Sequence, residues 1–295
     1  MERRRGRGLN IWGPVAAAKS KFRKRTAIGI AAAGLLILVG SLFAVNRRRS
    51  ALDELWGPVL KTPGEVLVCV GAQAAYNLRS ARTQDEIQGV ILPPPNAASP
   101  HRPIRQDELI LLRDRYVAWD DALCLARVTS LLERYRKPYR VRGAQPTFFA
   151  DLRDTHAVLI GAFHNPPTLR SVKGLRFTFR EDSEQDTGMV LDSRHPGNSE
   201  WKLVGHWPNW DMPVDYAIVT RMVDTTTDRP VIIAAGLTQF GTLGAGEFLS
   251  NQEYFAEAAR HLPRDWSKKN LQVVLSVPVV NRIPGRPRVL ATHVW

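Results

Sequence analysis

One uncharged apolar run near the amino terminus dominates the pattern of hydrophobic and polar positions. It extends over nineteen residues, from Ala27 to Val45, without a single charge. At ~1.5 Å per residue a helix of this length spans ~28 Å, close to the ~30 Å thickness of a bilayer's hydrocarbon core. The run therefore predicts one transmembrane helix, an uncleaved signal anchor. A cleavable signal peptide is the alternative, but its apolar region usually covers only about 7–15 residues.

Beyond this run, segments with the pattern of buried strands alternate with segments of helical periodicity. Strands are predicted at 65–71, 139–142 and 157–161, and helices at 50–56, 120–135, 147–153 and 165–172. Gly57-Pro58 is expected to stop the first helix and Asp120 to cap the second. Residues 72–117 lack a clear pattern and contain several prolines, which indicates a long exposed loop or insertion. Strands alternating with helices are typical of a doubly wound arrangement of parallel strands.

The carboxy-terminal half predicts antiparallel strands. Two hairpins are indicated, one pairing 175–180 with 189–192, the other pairing 216–223 with 230–236 across a polar loop. Helices are predicted at 241–250 and 252–261, and two last strands at 271–280 and 288–294. Adding such strands to parallel ones gives a mixed sheet. The predicted fold class is α/β: a mixed, largely doubly wound sheet with helices on both faces, preceded by one transmembrane helix.

The positive charge of the chain is concentrated beside the apolar run. Of the formal net charge of +13, residues 1–50 account for +11, with twelve Lys and Arg against one Glu, which leaves +2 for residues 51–295. A basic flank next to an apolar helix is expected to contact the lipid bilayer. Although the total charge is high, no direct nucleic-acid binding is expected, because the remainder of the chain is nearly neutral.

The distribution of these basic residues also predicts topology. Nine precede the apolar run and three follow it. The positive-inside rule then predicts a cytoplasmic amino terminus and an extracytoplasmic main domain, held at the cell inner membrane. Four segments result: a basic cytoplasmic tail at 1–26, the transmembrane helix at 27–45, a juxtamembrane linker and short helix at 46–64, and a soluble α/β domain at 65–295.

No standard catalytic or metal-binding signature occurs in the predicted soluble domain. Phosphate-loop, zinc-helix, nucleophile-elbow and kinase motifs are absent, and the seven histidines are scattered. The two cysteines, Cys69 and Cys124, are too few for a disulfide scaffold. They are expected to be buried free thiols, with a disulfide between them as the alternative in an extracytoplasmic domain. No cofactor, metal site or catalytic residue is predicted.

Two glycine-ended strands point to a ligand crevice. In open α/β sheets, ligands lie at the carboxyl ends of strands, against helix N-termini. The segment from Gly161 to Thr168 has this character, and His164, Asn165 and Thr168 would meet a polar or anionic ligand, with Gly71 at the end of the first predicted strand as a further candidate. The alternative is structural: Asn165 is then a helix cap and His164 an ordinary loop residue.

The segment from Ala235 to Leu249 has the same strand–glycine–helix order. Thr238 and the backbone N–H groups of Gly241 and Thr242 could contact a ligand, and Glu247 supplies a carboxylate. In the structural alternative, the small residues Gly244, Ala245 and Gly246 let the helix pack closely on the sheet. The spacing of the glycines does not match a dinucleotide-binding fingerprint.

At these segments the chain resembles a group of bacterial single-pass membrane proteins whose extracytoplasmic α/β domain is sometimes fused to a winged-helix transcriptional regulator. The resemblance covers roughly residues 55–295 and implies a sensory or regulatory role. Residues 1–26 are expected to be too short for a winged helix. The matching residues are Val158–Asn165, Thr168–Arg170, Leu175–Phe177, Asp215–Val219, Ala235–Leu237, Gly241–Thr242, Gly246–Leu249, Trp266, Lys269–Asn270, Gln272–Leu275 and Val289–Trp295.

Three hypotheses of function remain. The preferred one is a membrane-anchored extracytoplasmic module that senses a small polar ligand or binds a protein, and that signals through a membrane or cytoplasmic partner. The second is a membrane-tethered hydrolase or transferase that uses His164 and Glu247, which requires these two side chains to lie near one another. The third is a structural scaffold of an envelope complex.

Overall fold

The computed structural model describes residues 50–78, 106–144, 149–182, 186–197, 199–204 and 212–295. The predicted basic tail and transmembrane helix lie outside the described residues. Within the described ranges, none of the helices combines the length and the hydrophobicity that a membrane crossing requires.

Besides two short 3-10 helices at Gln106–Glu108 and Trp266–Lys268, the described part of the chain contains six α-helices and thirteen strands. In chain order they are α1 (Ala51–Lys61), β1 (Val66–Val70), β2 (Gln73–Leu78), β3 (Leu109–Tyr116), α2 (Trp119–Arg134), β4 (Tyr139–Gly143), α3 (Phe149–Arg153), β5 (His156–Ile160), α4 (Pro166–Val172), β6 (Phe177–Asp182), β7 (Thr187–Asp192), β8 (Lys202–Val204), β9 (Val214–Asp224), β10 (Arg229–Gly236), α5 (Gln239–Ser250), α6 (Gln252–Ala259), β11 (Leu271–Val280), β12 (Ile283–Pro284) and β13 (Arg288–Val294).

The main sheet is mixed, as the sequence predicted. Its strand order is β12-β11-β9-β10-β5-β1-β4, and β13 also pairs with β11. Strands β10, β5, β1 and β4 run parallel to one another, whereas β9 is antiparallel to both β10 and β11. The protein therefore has a mixed α/β fold in which the alternating β-α segments supply the parallel half and the hairpins supply the antiparallel half.

Helices cover both faces of this sheet, but unequally. Successive strand side chains point to opposite faces, so Val66 and Val68 of β1 enter one core while Leu67 and Cys69 enter another. The face that we call the helical face is covered by α1, α2, α5 and α6. The opposite face, called the hairpin face, is covered by the short helices α3 and α4 and by a separate three-stranded antiparallel sheet, β6-β7-β8.

The first helix does not stop where the sequence predicted. Helix α1 continues through Gly57 and Pro58 to Lys61. Proline removes one helical hydrogen bond, but the turn that contains it carries the buried Trp56 and Val59. The Trp56 indole N–H also donates to the backbone oxygen of a residue near the end of α5 at 2.8 Å. Burial against the sheet thus outweighs the local stop signal.

Two further predictions about local structure were wrong. Residues 73–78 and 109–116 form an antiparallel pair instead of an exposed loop, although residues 79–105 lie outside the described part of the chain. Asp120 does not cap α2, because Ala118 occupies the cap position and Asp120 lies within the first helical turn, where it is buried. The two cysteines do not form a disulfide: Cys124 lies in the core on the helical face and Cys69 in the core on the hairpin face.

Candidate functional site

A cleft lies where the chain leaves two adjacent parallel strands in opposite directions. Strand β5 ends at Gly161 and leads to α4 on the hairpin face, whereas the neighbouring β10 ends at Gly236 and leads to α5 on the helical face. Connections that diverge in this way open a crevice at the carboxyl edge of a sheet. Both glycines line a cleft of about 550 Å³, within the ~300–1,000 Å³ typical of small-molecule sites.

Asp121 is the most unusual side chain in this cleft. It lies in the first turn of α2 and only 8 % of it is exposed. Its Oδ1 atom has no hydrogen-bond partner within the described ranges. Gly161, which has a positive φ of 92°, lies next to it, since a Cβ at that position would be in van der Waals contact with Asp121 Oδ2 at 3.4 Å.

The surroundings of Asp121 change its acidity. The pKa of its carboxyl is raised from 3.8 to about 7, mainly by burial and to a smaller extent by the nearby carboxylates of Asp120 and Asp215. A hydrogen bond with the Thr242 side chain acts in the opposite direction but does not compensate. Because this pKa lies near neutrality, the side chain can exchange a proton or accept a charged partner under ordinary conditions.

A second buried carboxylate, Asp215 at the start of β9, has all its partners. Its Oδ2 atom accepts hydrogen bonds from Thr238 Oγ1 at 2.5 Å, Thr238 N at 3.1 Å and Gly241 N at 2.6 Å. Its Oδ1 atom accepts one from Tyr216 N at 2.6 Å. Burial raises its pKa, and these hydrogen bonds lower it. Asp215 therefore fixes the N-terminus of α5 and is saturated by the protein itself.

In the segment after β5, His164 lies in the cleft, whereas Asn165 is buried and holds the backbone. His164 lines the cleft and is exposed. Asn165 is fully buried, and its Nδ2 atom donates to the backbone oxygens of Cys69 at 3.1 Å and Ile160 at 2.9 Å. Its Oδ1 atom accepts from Thr168 N at 3.4 Å, which makes Asn165 the N-cap of α4.

Two other residues of the predicted crevice lie behind its wall. Gly71 is in contact with the loop that carries His164, because Ala72 N donates to His164 O and a Cβ at Gly71 would lie 3.3 Å from that oxygen. Thr168 is completely buried and does not line the cleft. Both residues support the cleft from behind.

The segment after β10 contributes side chains rather than backbone donors. Thr238 and Thr242 line the cleft. The sequence predicted that the backbone N–H groups of Gly241 and Thr242 could contact a ligand. This prediction was wrong, because Gly241 N donates to Asp215 and Thr242 N donates to Thr238 O. Glu247 lies outside the cleft and pairs with Arg127 at 2.5 Å, so the predicted pair of His164 and Glu247 does not share a site.

The residues that the sequence did not reveal make the cleft acidic. Besides Asp121, the β6–β7 hairpin places Glu181, Asp182 and Asp186 around it, and none of the described lining residues is Lys or Arg. An anionic ligand, which the sequence had allowed, is disfavoured by this charge. Within the described ranges there is no group of three or more His, Cys, Asp or Glu that could hold a metal ion. The only available signal was the adjacent Asp120-Asp121 pair, which also fits a helix N-terminus.

Comparison with known proteins adds no assignment. No protein-family model, no curated protein and no solved structure matches the chain.

Proposed function

We propose that this chain is a membrane-anchored sensing module that binds a small polar molecule in the cleft between the ends of β5 and β10. The observation that carries the proposal is Asp121, a buried carboxylate in the wall of an open cleft, whose Oδ1 atom has no hydrogen-bond partner within the described ranges. Buried polar atoms in proteins are nearly always hydrogen-bonded. A ligand that supplies the missing donor is the simplest way to satisfy this atom.

The membrane and signalling parts of the proposal rest on the sequence. The apolar run at 27–45 and its basic flank support a single anchor, with the α/β domain extracytoplasmic. The resemblance to domains that are sometimes fused to transcriptional regulators supports a sensory role. A partner in the membrane or the cytoplasm would receive the signal.

A second candidate function is a hydrolase or transferase that uses this same cleft. One observation favours it: Asp121 has a pKa of about 7 and shares the cleft with His164. A carboxyl with such a pKa can act as a general acid or base at neutral pH. In this version Asp121 takes the role that the sequence assigned to Glu247.

Thermal unfolding of the full chain in mild detergent, with a library of small polar metabolites, tests the sensing proposal. Gly188→Phe should fill the cleft, because the Gly188 position faces Phe163 at 3.6 Å and Leu237 at 3.8 Å. Gly197→Phe is the matched control, since an added Cβ at Gly197 meets nothing within 4 Å. We expect at least one compound to stabilise the wild type and Gly197→Phe but not Gly188→Phe.

The same experiment separates the candidate functions. If no compound stabilises the wild type, or if Gly188→Phe responds like its control, the cleft is not a ligand site. If a stabilising compound is chemically converted, and Asp121→Asn binds it without converting it, the enzyme is the correct function. A stable protein partner on pull-down, together with an unresponsive cleft, would instead indicate a scaffold.

A further inference from the structure

We infer that the ligand of this cleft is a small organic amine, whose ammonium group pairs with Asp121 and whose apolar body lies against Phe163 and Leu237. The inference rests on the proposed function, because it names the chemical class of the ligand at the same site. Three independent features of the described residues support it: the unpartnered carboxylate oxygen, the sign of the surrounding charge, and the occupied backbone donors.

The first feature is the position of the free oxygen. Asp121 is a buried residue of the cleft wall, and Gly161 lies next to its Oδ2 atom. Only Oδ1 remains without a partner among the described residues. A carboxylate accepts hydrogen bonds and donates none, and charge-assisted bonds from an ammonium group are among the strongest that it forms.

The second feature is the charge of the cleft. Glu181, Asp182 and Asp186 lie on the β6–β7 hairpin, opposite the helix that carries Asp121. With no Lys or Arg among the described lining residues, the field in the cleft attracts cations and repels anions. A neutral ligand would gain nothing from this arrangement, whereas an ammonium group gains from every carboxylate around it.

The third feature is that the backbone N–H groups at the N-terminus of α5, which could otherwise bind an anion, already have acceptors. The N-terminus of α5 faces the cleft, and helix N-termini commonly bind anions through their free N–H groups. Here Asp215 accepts hydrogen bonds from Thr238 N and Gly241 N, and Thr238 Oγ1 accepts one from Phe240 N at 3.3 Å. The protein has therefore already placed its own carboxylate where an anionic ligand would bind.

The apolar part of the lining specifies the other end of the ligand. Phe163, Leu237 and Leu203 of β8 line the cleft, and a Cβ added at Gly188 would lie within 4 Å of both Phe163 and Leu237. A pocket with one apolar side and one charged end fits an amphiphilic amine better than a polyhydroxylated compound. An aromatic or branched aliphatic body would fill the space.

Three probes of matched shape test this assignment: 2-phenylethylamine, 2-phenylethanol and phenylacetate, which present a cation, a neutral hydroxyl and an anion. Isothermal titration calorimetry on the full chain in mild detergent at about pH 8 measures their affinities. We expect the amine to bind at least about tenfold more tightly than the alcohol, since a hydrogen bond to a charged group typically contributes a factor of this size. Phenylacetate should be the weakest ligand.

Variants then assign the binding to Asp121. Asp121→Asn keeps the shape of the side chain and should weaken the amine at least about tenfold while leaving the alcohol unchanged. Asp120→Asn is the matched control, because Asp120 is adjacent and buried but does not line the cleft. It should change the affinity for the amine by less than about threefold. Thermal unfolding of each variant verifies that it is folded.

The outcomes distinguish this inference from the proposed function. If 2-phenylethanol or phenylacetate binds at least as tightly as the amine, and Gly188→Phe abolishes that binding, the cleft is a ligand site but its ligand is not a cation. If the amine binds and Asp121→Asn does not weaken it, the assignment to Asp121 is overturned. Failure of the amine to bind at about 10 mM overturns the inference, while the metabolite screen independently decides the proposed function.

Discussion

The substitution Asp121→Asn should also change how the free energy of unfolding depends on pH, and this can be measured without a ligand. In the folded protein burial raises the pKa of Asp121 to about 7, from 3.8 for an exposed aspartate. At a pH between these two values the folded state binds a proton that the unfolded state does not. By linkage, the contribution of Asp121 to the free energy of unfolding is fully present below about pH 4 and is lost as the pH rises through about 7.

The magnitude follows from the size of the pKa shift. A rise of about three units corresponds to about 4 kcal/mol at about 1.36 kcal/mol per unit, as an upper estimate for the fully ionised state. Asparagine carries no charge at any pH, so the variant escapes this cost. About a third of this cost has already accumulated at about pH 5, so we expect the difference in stability, variant minus wild type, to become more positive by up to about 3 kcal/mol between about pH 5 and about pH 8.

Urea unfolding of the full chain at several pH values, followed by tryptophan fluorescence, measures this difference. Asp192→Asn provides a control of opposite sign. Arg176 donates to Asp192 at 2.8 and 2.9 Å and holds the pKa of that carboxyl well below its usual range. The stability from Asp192 is present above about pH 4 and is lost as the pH falls further, so Asp192→Asn should destabilise at neutral pH and matter less in acid.

The opposite signs of these two variants are the critical result. If the free energies of unfolding of Asp121→Asn and the wild type differ by the same amount at every pH, the pKa of the Asp121 carboxyl is not raised by its environment. If both variants destabilise at about pH 8, Asp121 makes an internal interaction that satisfies it. Either result would remove the main support for a ligand at this position.

Two further substitutions test the support around the cleft, both measured by urea unfolding. Gly236→Ala places a Cβ in overlap with backbone atoms at the start of α5 and should cost about 3 kcal/mol, whereas Gly188→Ala makes only ordinary contacts and should change stability by less than about 1 kcal/mol. Asn165→Ala leaves the buried backbone oxygens of Cys69 and Ile160 without their side-chain donor and should cost about 2–4 kcal/mol; a loss below about 1 kcal/mol would show that Asn165 does not hold the loop.

The strands of the main sheet could be predicted because their local signals agree with their final environment. β1 and β5 are continuous apolar runs, and all five residues of each are buried. In such segments the pattern alone identifies a strand covered on both faces. For α1 the local signals were misleading. Pro58 is a strong local stop signal, but contacts with distant elements, such as that of Trp56 with α5, stabilise the helix beyond it.

The order of strands could not be read from the sequence, and the site depends on that order. Of the eight predicted site residues, His164, Thr238 and Thr242 line the cleft, because β5 and β10 are neighbours although about seventy residues separate them. The others were chosen for the same strand–glycine–helix pattern. Glu247 pairs with Arg127 outside the cleft, and the other four support the backbone, as the buried Asn165 does. Periodicity does not distinguish a residue that lines a cleft from one directly behind it.

Asp121 lies in the cleft because α2 and α5, which are more than a hundred residues apart in the sequence, pack closely against each other. A Cβ at Gly246 would lie 2.5 Å from Cys124 Sγ, so only glycine lets α5 approach α2 so closely at this point. The small residues of α5 were interpreted as a surface for packing on the sheet, and Gly244 does contact Val277 of β11. Gly246, two residues later, instead accommodates α2, and Cys124 lies only one helical turn from Asp121. The contact that brings these helices together thus also brings a carboxylate to the ends of β5 and β10, which explains why a site built around Asp121 has no contiguous motif.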